Sequence, residues 1–226
     1  MRSGPISIKI VVVETYDRLG HRRRRFEMKT EVIKIDSQGN SIERAVTMTE
    51  ELAENSGLDR KQCLHLRLLA EELLGMIRSI AGEVDAEFYV VKDDRNYQLI
   101  LESEMEITKE RKKNFLIAST QGVNSAAKGF MGSLRDFIAT ALLPSEESPS
   151  GLSMGLMSFG APGGYGSDGS YNWSMTQYAD AVKHEDGSAA KEAWDQLEKS
   201  IVASIADDVS VYIKNPHVKM VITKNF

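Results

Sequence analysis

Leu66-Arg67-Leu68-Leu69-Ala70-Glu71-Glu72-Leu73-Leu74-Gly75-Met76-Ile77 is the stretch on which the fold turns. Leu66, Leu69, Ala70, Leu73, Met76, Ile77 and Ile80 recur at intervals of three and four, which draws one apolar stripe down a helix, and Gly82 follows as a stop. This is a core helix. Before it, Asn40-Ser41 offers an N-cap to a helix carrying Ile42, Ala45, Val46, Thr49, Leu52 and Ala53 on one side, and Gly57 ends it. Further upstream, Ile6 to Val13 is rich in β-branched residues and Phe26 to Ile35 alternates apolar with polar, so two strands flank a turn at Asp17 to His21.

Downstream, Ala86 to Lys92 and Tyr97 to Glu102 alternate around Asp93-Asp94-Arg95-Asn96, the chemistry of a hairpin turn. A charged helix is expected from Thr108 to Ser119, a looser stretch over Gly122 to Gly132, and an apolar helix from Leu134 to Leu143 that Pro144 closes. Ser145 to Asn172 then holds seven Gly, seven Ser and two Pro, and no Lys or Arg stands between Arg135 and Lys183. Such backbone is costly to order and reads as a mobile flap, yet Leu152, Met154, Leu156, Met157 and Phe159 are apolar. Either it closes over a groove as a lid or it docks on a partner. Trp194, Leu197, Ile201, Val202 and Ile205 make a last helical stripe, followed by strands at Val209 to Ile213 and Val218 to Thr223.

The expected architecture is therefore α+β, a two-layer sandwich in which a mixed or antiparallel sheet is covered on one face by helices. Residues 1–226 form one domain with a variable region at about 105–190, including the flap at 145–172. No repeat is present at periods of 20 to 50 residues, which excludes a solenoid.

Composition narrows the function. Of 226 residues 42% are hydrophobic, enough for a sizeable core. The one cysteine, Cys63, excludes a disulfide framework and fits a reducing compartment or a small core position. No apolar run approaches the roughly 20 residues of a membrane span, and no signal peptide follows Met1 to Gly4, so a cytoplasmic protein is expected, without a membrane partner. A net charge of −5 with mixed signs argues against nucleic acid. His21-Arg22-Arg23-Arg24-Arg25 is the local exception, read as a solvated hairpin or a contact for phosphate or an acidic partner.

The order strand, strand, helix, long helix, hairpin, variable region, helix, hairpin resembles the ATP-binding domain of sensor histidine kinases, gyrase and the anti-sigma-factor serine kinases. That resemblance implies ATP held between the helices beneath a mobile lid. Leu66 to Ile77 is similar to the family's N-box helix, Glu followed four residues later by Asn, and Ile201 to Val209 is similar to its final helix and strand. With residues 26–103 the likeness covers about half of the chain. In the N-box the Glu acts as general base and the Asn holds Mg²⁺. Glu71 fills the first position, but the second is Gly75, which has no side-chain oxygen.

Two further departures follow. Where the family has Asp-x-Gly-x-Gly to read adenine, this chain has Glu102-Ser103-Glu104-Met105-Glu106. Where the family has Gly-x-Gly-Leu, Glu192-Ala193-Trp194-Asp195-Gln196-Leu197 stands without glycine. Lys128-Gly129-Phe130-Met131-Gly132 could replace the phosphate cradle through Lys128, Gly129 and Gly132, or be a tight helix-entry turn with Phe130 and Met131 in the core.

His21, His65, His184 and His217 lack metal-ligand spacing, and Asp207-Asp208 reads as a solvated cap, so no metal site is expected. Trp173 and Trp194 are expected in the core. Glu71 is expected beside the apolar stripe and Glu72 toward water; Glu71 is a polar border residue unless nucleotide binds. Two functions compete. One is a non-catalytic regulatory domain that binds a protein partner and no cofactor. The other is an active ATP- and Mg²⁺-dependent serine kinase or ATPase with Glu71 as base. The resemblance also implies self-association, since the anti-sigma kinases form dimers.

Overall fold

The computed structural model describes residues 7–16, 22–36, 38–80, 85–104, 134, 138, 170–184, 186–214 and 216–226. Strands β1 (Ile8–Tyr16), β2 (Arg22–Thr30) and β3 (Ile33–Ile35) precede helices α1 (Ile42–Asn55) and α2 (Arg60–Ile80). Then come β4 (Ala86–Asp93), β5 (Asn96–Glu104), β6 (Tyr171–Ser174), α3 (Met175–Lys183), α4 (Ser188–Glu198), α5 (Ile201–Ile205), β7 (Asp208–Lys214) and β8 (His217–Asn225).

Among the described residues the strands form one eight-stranded sheet in the order β1-β2-β4-β5-β8-β7-β6, with β3 also paired to β4. Every pairing is antiparallel, which decides the sheet type that sequence alone had left open between mixed and antiparallel. The stretch expected as one strand over Phe26 to Ile35 is two. Glu31 and Val32 interrupt the ladder, and the Thr30 hydroxyl accepts the Val90 amide at 2.9 Å across the gap.

Alternation gives the sheet two unlike faces. Phe88, Val90, Leu99, Leu101, Val209, Val211, Ile213, Val218, Met220 and Ile222 all belong to the buried core, and each register row carries them on one side. Leu52, Leu66, Leu69, Leu73, Leu74 and Val202 close the core from α1, α2 and α5. Trp173 is buried on the same face and packs its ring 5.8 Å from Tyr178 of α3, while Trp194 packs at the core margin, so both tryptophans lie where expected. The thiol of Cys63 is buried and donates to the Leu58 carbonyl at 3.6 Å.

Helix ends explain the segmentation. Ser41 occupies the N-cap position of α1 but with φ 69° its hydroxyl makes no cap bond, against expectation. The extended backbone that aims a cap hydroxyl at the helix is absent there. Asp36 instead accepts the Asn40 amide at 2.9 Å and its side chain at 2.7 Å. At the other end Gly57 (φ 76°) closes α1, with the Gly57 amide donating to Glu54 and the Leu58 amide to Ala53. Helix α2 opens on a reciprocal cap: the Gln62 amide donates to the Asp59 carboxylate at 2.8 Å and the Asp59 amide to the Gln62 side chain at 2.9 Å.

The single C-terminal stripe expected from Trp194 to Ile205 divides into α4 and α5, because Ser200 caps a new helix by accepting the Ala203 amide at 3.3 Å. Ile201 is consequently exposed instead of joining the stripe. Strand β6 and helix α3 form inside the region expected to be variable, and Tyr171 and Asn172, assigned to the flap, pair with Ile213 and Tyr212. Flap residues 145–169, the expected helix from Thr108 to Ser119 and the stop at Gly82 lie outside the described residues. No described helix is long and apolar enough to cross a membrane.

Candidate functional site

Helix α2 sets the geometry of the first candidate pair. Leu66, Leu69, Ala70, Leu73 and Leu74 are fully buried, which fixes the inward side of the helix. At 100° per residue Gly75 falls opposite that side, and Glu71 lies closer to it than to the core. Both are exposed, whereas Glu72 is half-buried, the reverse of the expected order of the two glutamates.

Glu71 has a fixed partner: its carboxylate accepts from Arg67 Nε at 3.0 Å. Arg67 also reaches the Glu50 carboxylate on α1, and that contact, helped by Glu71 and opposed by burial, holds its guanidinium above the ordinary arginine value. Glu71 is therefore one arm of an ion-pair bridge between α1 and α2. Four residues on, a Cβ built on Gly75 would meet nothing within 4 Å. Gly75→Ala should therefore raise the unfolding free energy by about 0.5–1 kcal/mol, since alanine gains helix propensity without a clash. A chemical denaturation midpoint equal to or below the wild-type value would contradict this placement.

The acidic run from Glu102, expected from the resemblance at the adenine-reading position, is split by the pleat of β5. Ser103 lies on the helix-covered face, buried, its hydroxyl donating to the Asp85 carbonyl at 2.8 Å. Glu102 lies on the opposite face, where its carboxylate accepts from Tyr89 at 3.1 Å and pairs with Lys219 at 2.8 Å. Burial pushes the Glu102 carboxyl up, but the bond and charge of Lys219, with the Tyr89 hydroxyl and His217, outweigh it and hold the group below the usual carboxylate range. Tyr89 moves the other way: burial, then the negative charge of Glu102, raises its phenol to about 12. Lys29 completes the row, its ammonium 3.7 Å from the Tyr89 ring centroid.

That row was not among the sequence candidates. Its signal was present in the alternation of β5, where Tyr97, Leu99 and Leu101 share a face that Glu102 cannot share.

The other candidates separate. Lys128, Gly129 and Gly132 lie outside the described residues. Asp207 and Asp208 diverge as adjacent residues should, but they do more than cap a helix. Asp207 accepts the Asn225 amide at 2.6 Å and Lys224 at 3.0 Å, fastening the end of β8, and Asp208 accepts from Ser174 and from the Thr176 amide, each at 3.1 Å. His65 is half-buried on α2, and burial, then Lys61 and Lys224, lowers its pKa. No cluster of three metal-ligating side chains occurs among the described residues.

No protein-family model matches the chain, and no curated protein matches its sequence.

Proposed function

We infer that the chain is a non-catalytic regulatory domain built on a scaffold of the histidine-kinase-type ATP-binding kind, acting by contact with a protein partner. The scaffold reading rests on element order: three strands, two helices, a hairpin, then a short strand, three helices and a closing hairpin, with the described helices on one face of an antiparallel sheet. The loss of nucleotide function rests on one observation above the others. Glu102, at the position that would read the purine amino group, is on the sheet face away from the helices and is held there by Tyr89 and Lys219.

Gly75 supports the same conclusion. It carries no side-chain oxygen for Mg²⁺, and apart from its chain neighbours and its own helix backbone nothing lies within 4 Å of its Cβ position. The residues at the metal and purine positions thus do not fit a bound ATP with its ion. Fold alone does not dictate function, and it is this removal of ligand-reading groups that favours a binding role over an enzymatic one.

Titration calorimetry with ATP and Mg²⁺ is expected to give no saturable heat up to millimolar nucleotide; a dissociation constant in the micromolar range, about −8 kcal/mol of binding free energy, would refute the reading. The competing activity, a serine kinase or ATPase with Glu71 as base, draws on one feature, the solvent access of Glu71 next to open space at Gly75. It requires turnover that Glu71→Ala removes while the thermal melt is kept.

A further inference from the structure

The outward side of α2 is not the polar surface that an amphipathic helix ordinarily turns to water. Leu64, Leu68, Glu71 and Gly75 follow one another at intervals of four, three and four, so they form a single ridge along the helix. The ridge lies away from Leu66, Leu69 and Leu73, which are fully buried on the opposite side. Leu64 is 50% exposed, more than any other large hydrophobic residue among those described, and Leu68 is half-buried. At Gly75 the backbone is bare, and a Cβ there would meet nothing within 4 Å beyond its own helix and chain neighbours. From Leu64 to Gly75 the ridge runs about 16 Å.

Helix α1 supplies a second ridge beside it. Glu43, Thr47, Glu50 and Glu54 repeat at the same spacing, on the side away from the buried Ala45, Val46, Thr49, Leu52 and Ala53. Arg67, one residue before Leu68, reaches Glu50 on α1 and Glu71 on the leucine ridge, so the two ridges flank one seam. The bases of this surface are engaged or stand at its end. Arg44 is held by Glu31 at 2.7 Å, Arg67 by its two glutamates, and Arg60 and Lys61 lie in the first turn of α2. Glu43, Glu51 and Glu54 form no ion pair among the described residues, and Glu43 and Glu54 are exposed. The surface is thus an apolar ridge with an acidic ridge along one flank.

We propose that this face of α1 and α2 docks a basic amphipathic helix of a partner protein, its apolar side chains against Leu64 and Leu68 and its lysines or arginines along Glu43, Glu50 and Glu54. The proposal rests on the regulatory reading above and names the kind of partner that reading requires. Geometry fixes the form of the occupant. Two ridges side by side leave a shallow groove into which a third helix packs a ridge of its own, and the bare backbone at Gly75 lets it come close. About three turns of helix cover the ridge from end to end.

Charge fixes the sign of the occupant. A second copy would bring the same glutamates against these and be repelled, and nucleic acid or an anionic membrane would bring more negative charge. Acids alone would attract any cation, but the outward leucines demand an apolar stripe in the partner as well, at helical spacing.

The probe is a fluorescein-labelled peptide of about 18 residues, leucine and lysine only with the leucines at helical spacing, followed by anisotropy at about 150 mM salt, where screening weakens contacts made by scattered charge alone. Saturation at roughly 10–100 µM is expected for so small an interface. A peptide of the same composition with its leucines scattered should bind about tenfold more weakly or worse. Leu64→Ser with Leu68→Ser should weaken binding about tenfold or more, and so should Glu43→Lys with Glu54→Lys. The charge-reversed variant should in turn bind the leucine and glutamate counterpart of the peptide, which the wild-type chain rejects. Should the serine variant melt early, the two glutamate changes, both at exposed positions, carry the test unaided. No saturation by about 1 mM, equal binding of the scattered peptide, indifference to either pair of changes, or self-association that Leu64→Ser abolishes would each overturn the proposal. Such a failure with a silent ATP titration removes this docking face and leaves the regulatory reading standing; saturable ATP heat removes the reading itself.

Discussion

Leu69→Ala is expected to cost about 3–5 kcal/mol of unfolding free energy, whereas Leu64→Ala, five residues earlier on α2, should change it by no more than about 0.5 kcal/mol. Leu69 is 0% exposed and belongs to the core between α2 and the sheet; Leu64 is 50% exposed on the outward side. Removing the Leu69 isobutyl group forfeits its transfer energy and leaves a void among Leu66, Leu73 and the strands, which a rigid sheet cannot collapse to fill. The contrast within one helix reads its rotation directly. Urea denaturation of both variants should show the midpoint falling only for Leu69→Ala. Equal losses, or a loss larger at Leu64, would mean that α2 presents a different face to the sheet, and the outward placement of Glu71 and Gly75 would fall with it.

Ile138→Ala should cost about 2–5 kcal/mol. Ile138 is helical, 0% exposed, and sits in the same core as Leu69, Leu99 and Ile222, as does Leu134 four residues before it. An interval of four places both on one side of a helix, with that side turned to the core. These two residues tie the chain between β5 and β6 to the domain. If the intervening chain were an independent appendage, Ile138→Ala would leave the main denaturation midpoint unchanged. A single cooperative transition displaced to lower denaturant is the expected result.

The sequence was most legible where one period dominated. Leu66, Leu69, Ala70 and Leu73 repeat at helical spacing and are all buried, and the turn between Asp93 and Asn96 separates two strands as its residues demanded. Legibility failed where a single cap overrode a stripe. Ser200 starts a new helix, and that turns Ile201 outward although it stood at an interval that fitted the stripe before it. Strand β6 is four residues with mixed side chains, too short to show alternation, and its position follows from pairing with β7, a contact no local pattern encodes. Caps were read unevenly: Asn40-Ser41 was expected to cap α1 and Ser41 makes no cap bond, whereas Asp59 with Gln62, whose spacing is that of a reciprocal cap, opens α2 without having been singled out.

For the candidate residues Glu71, Gly75 and Glu102, spacing along the chain carried less than packing. That Glu102 faces away from the helices requires knowing which side of β5 is buried, and that Glu71 is bound to Arg67 requires the packing of α2 on α1. Ion pairs between helices depend on their relative placement, which sequence spacing along one helix does not give.

The central claim is that no ATP–Mg²⁺ complex seats against α2. Amide chemical shifts of residues Arg67 to Gly75, followed by heteronuclear NMR during addition of ATP with Mg²⁺, test it at the site itself. The account predicts that these resonances stay in place at millimolar nucleotide. Saturable shifts centred on Glu71 and Gly75 would contradict it.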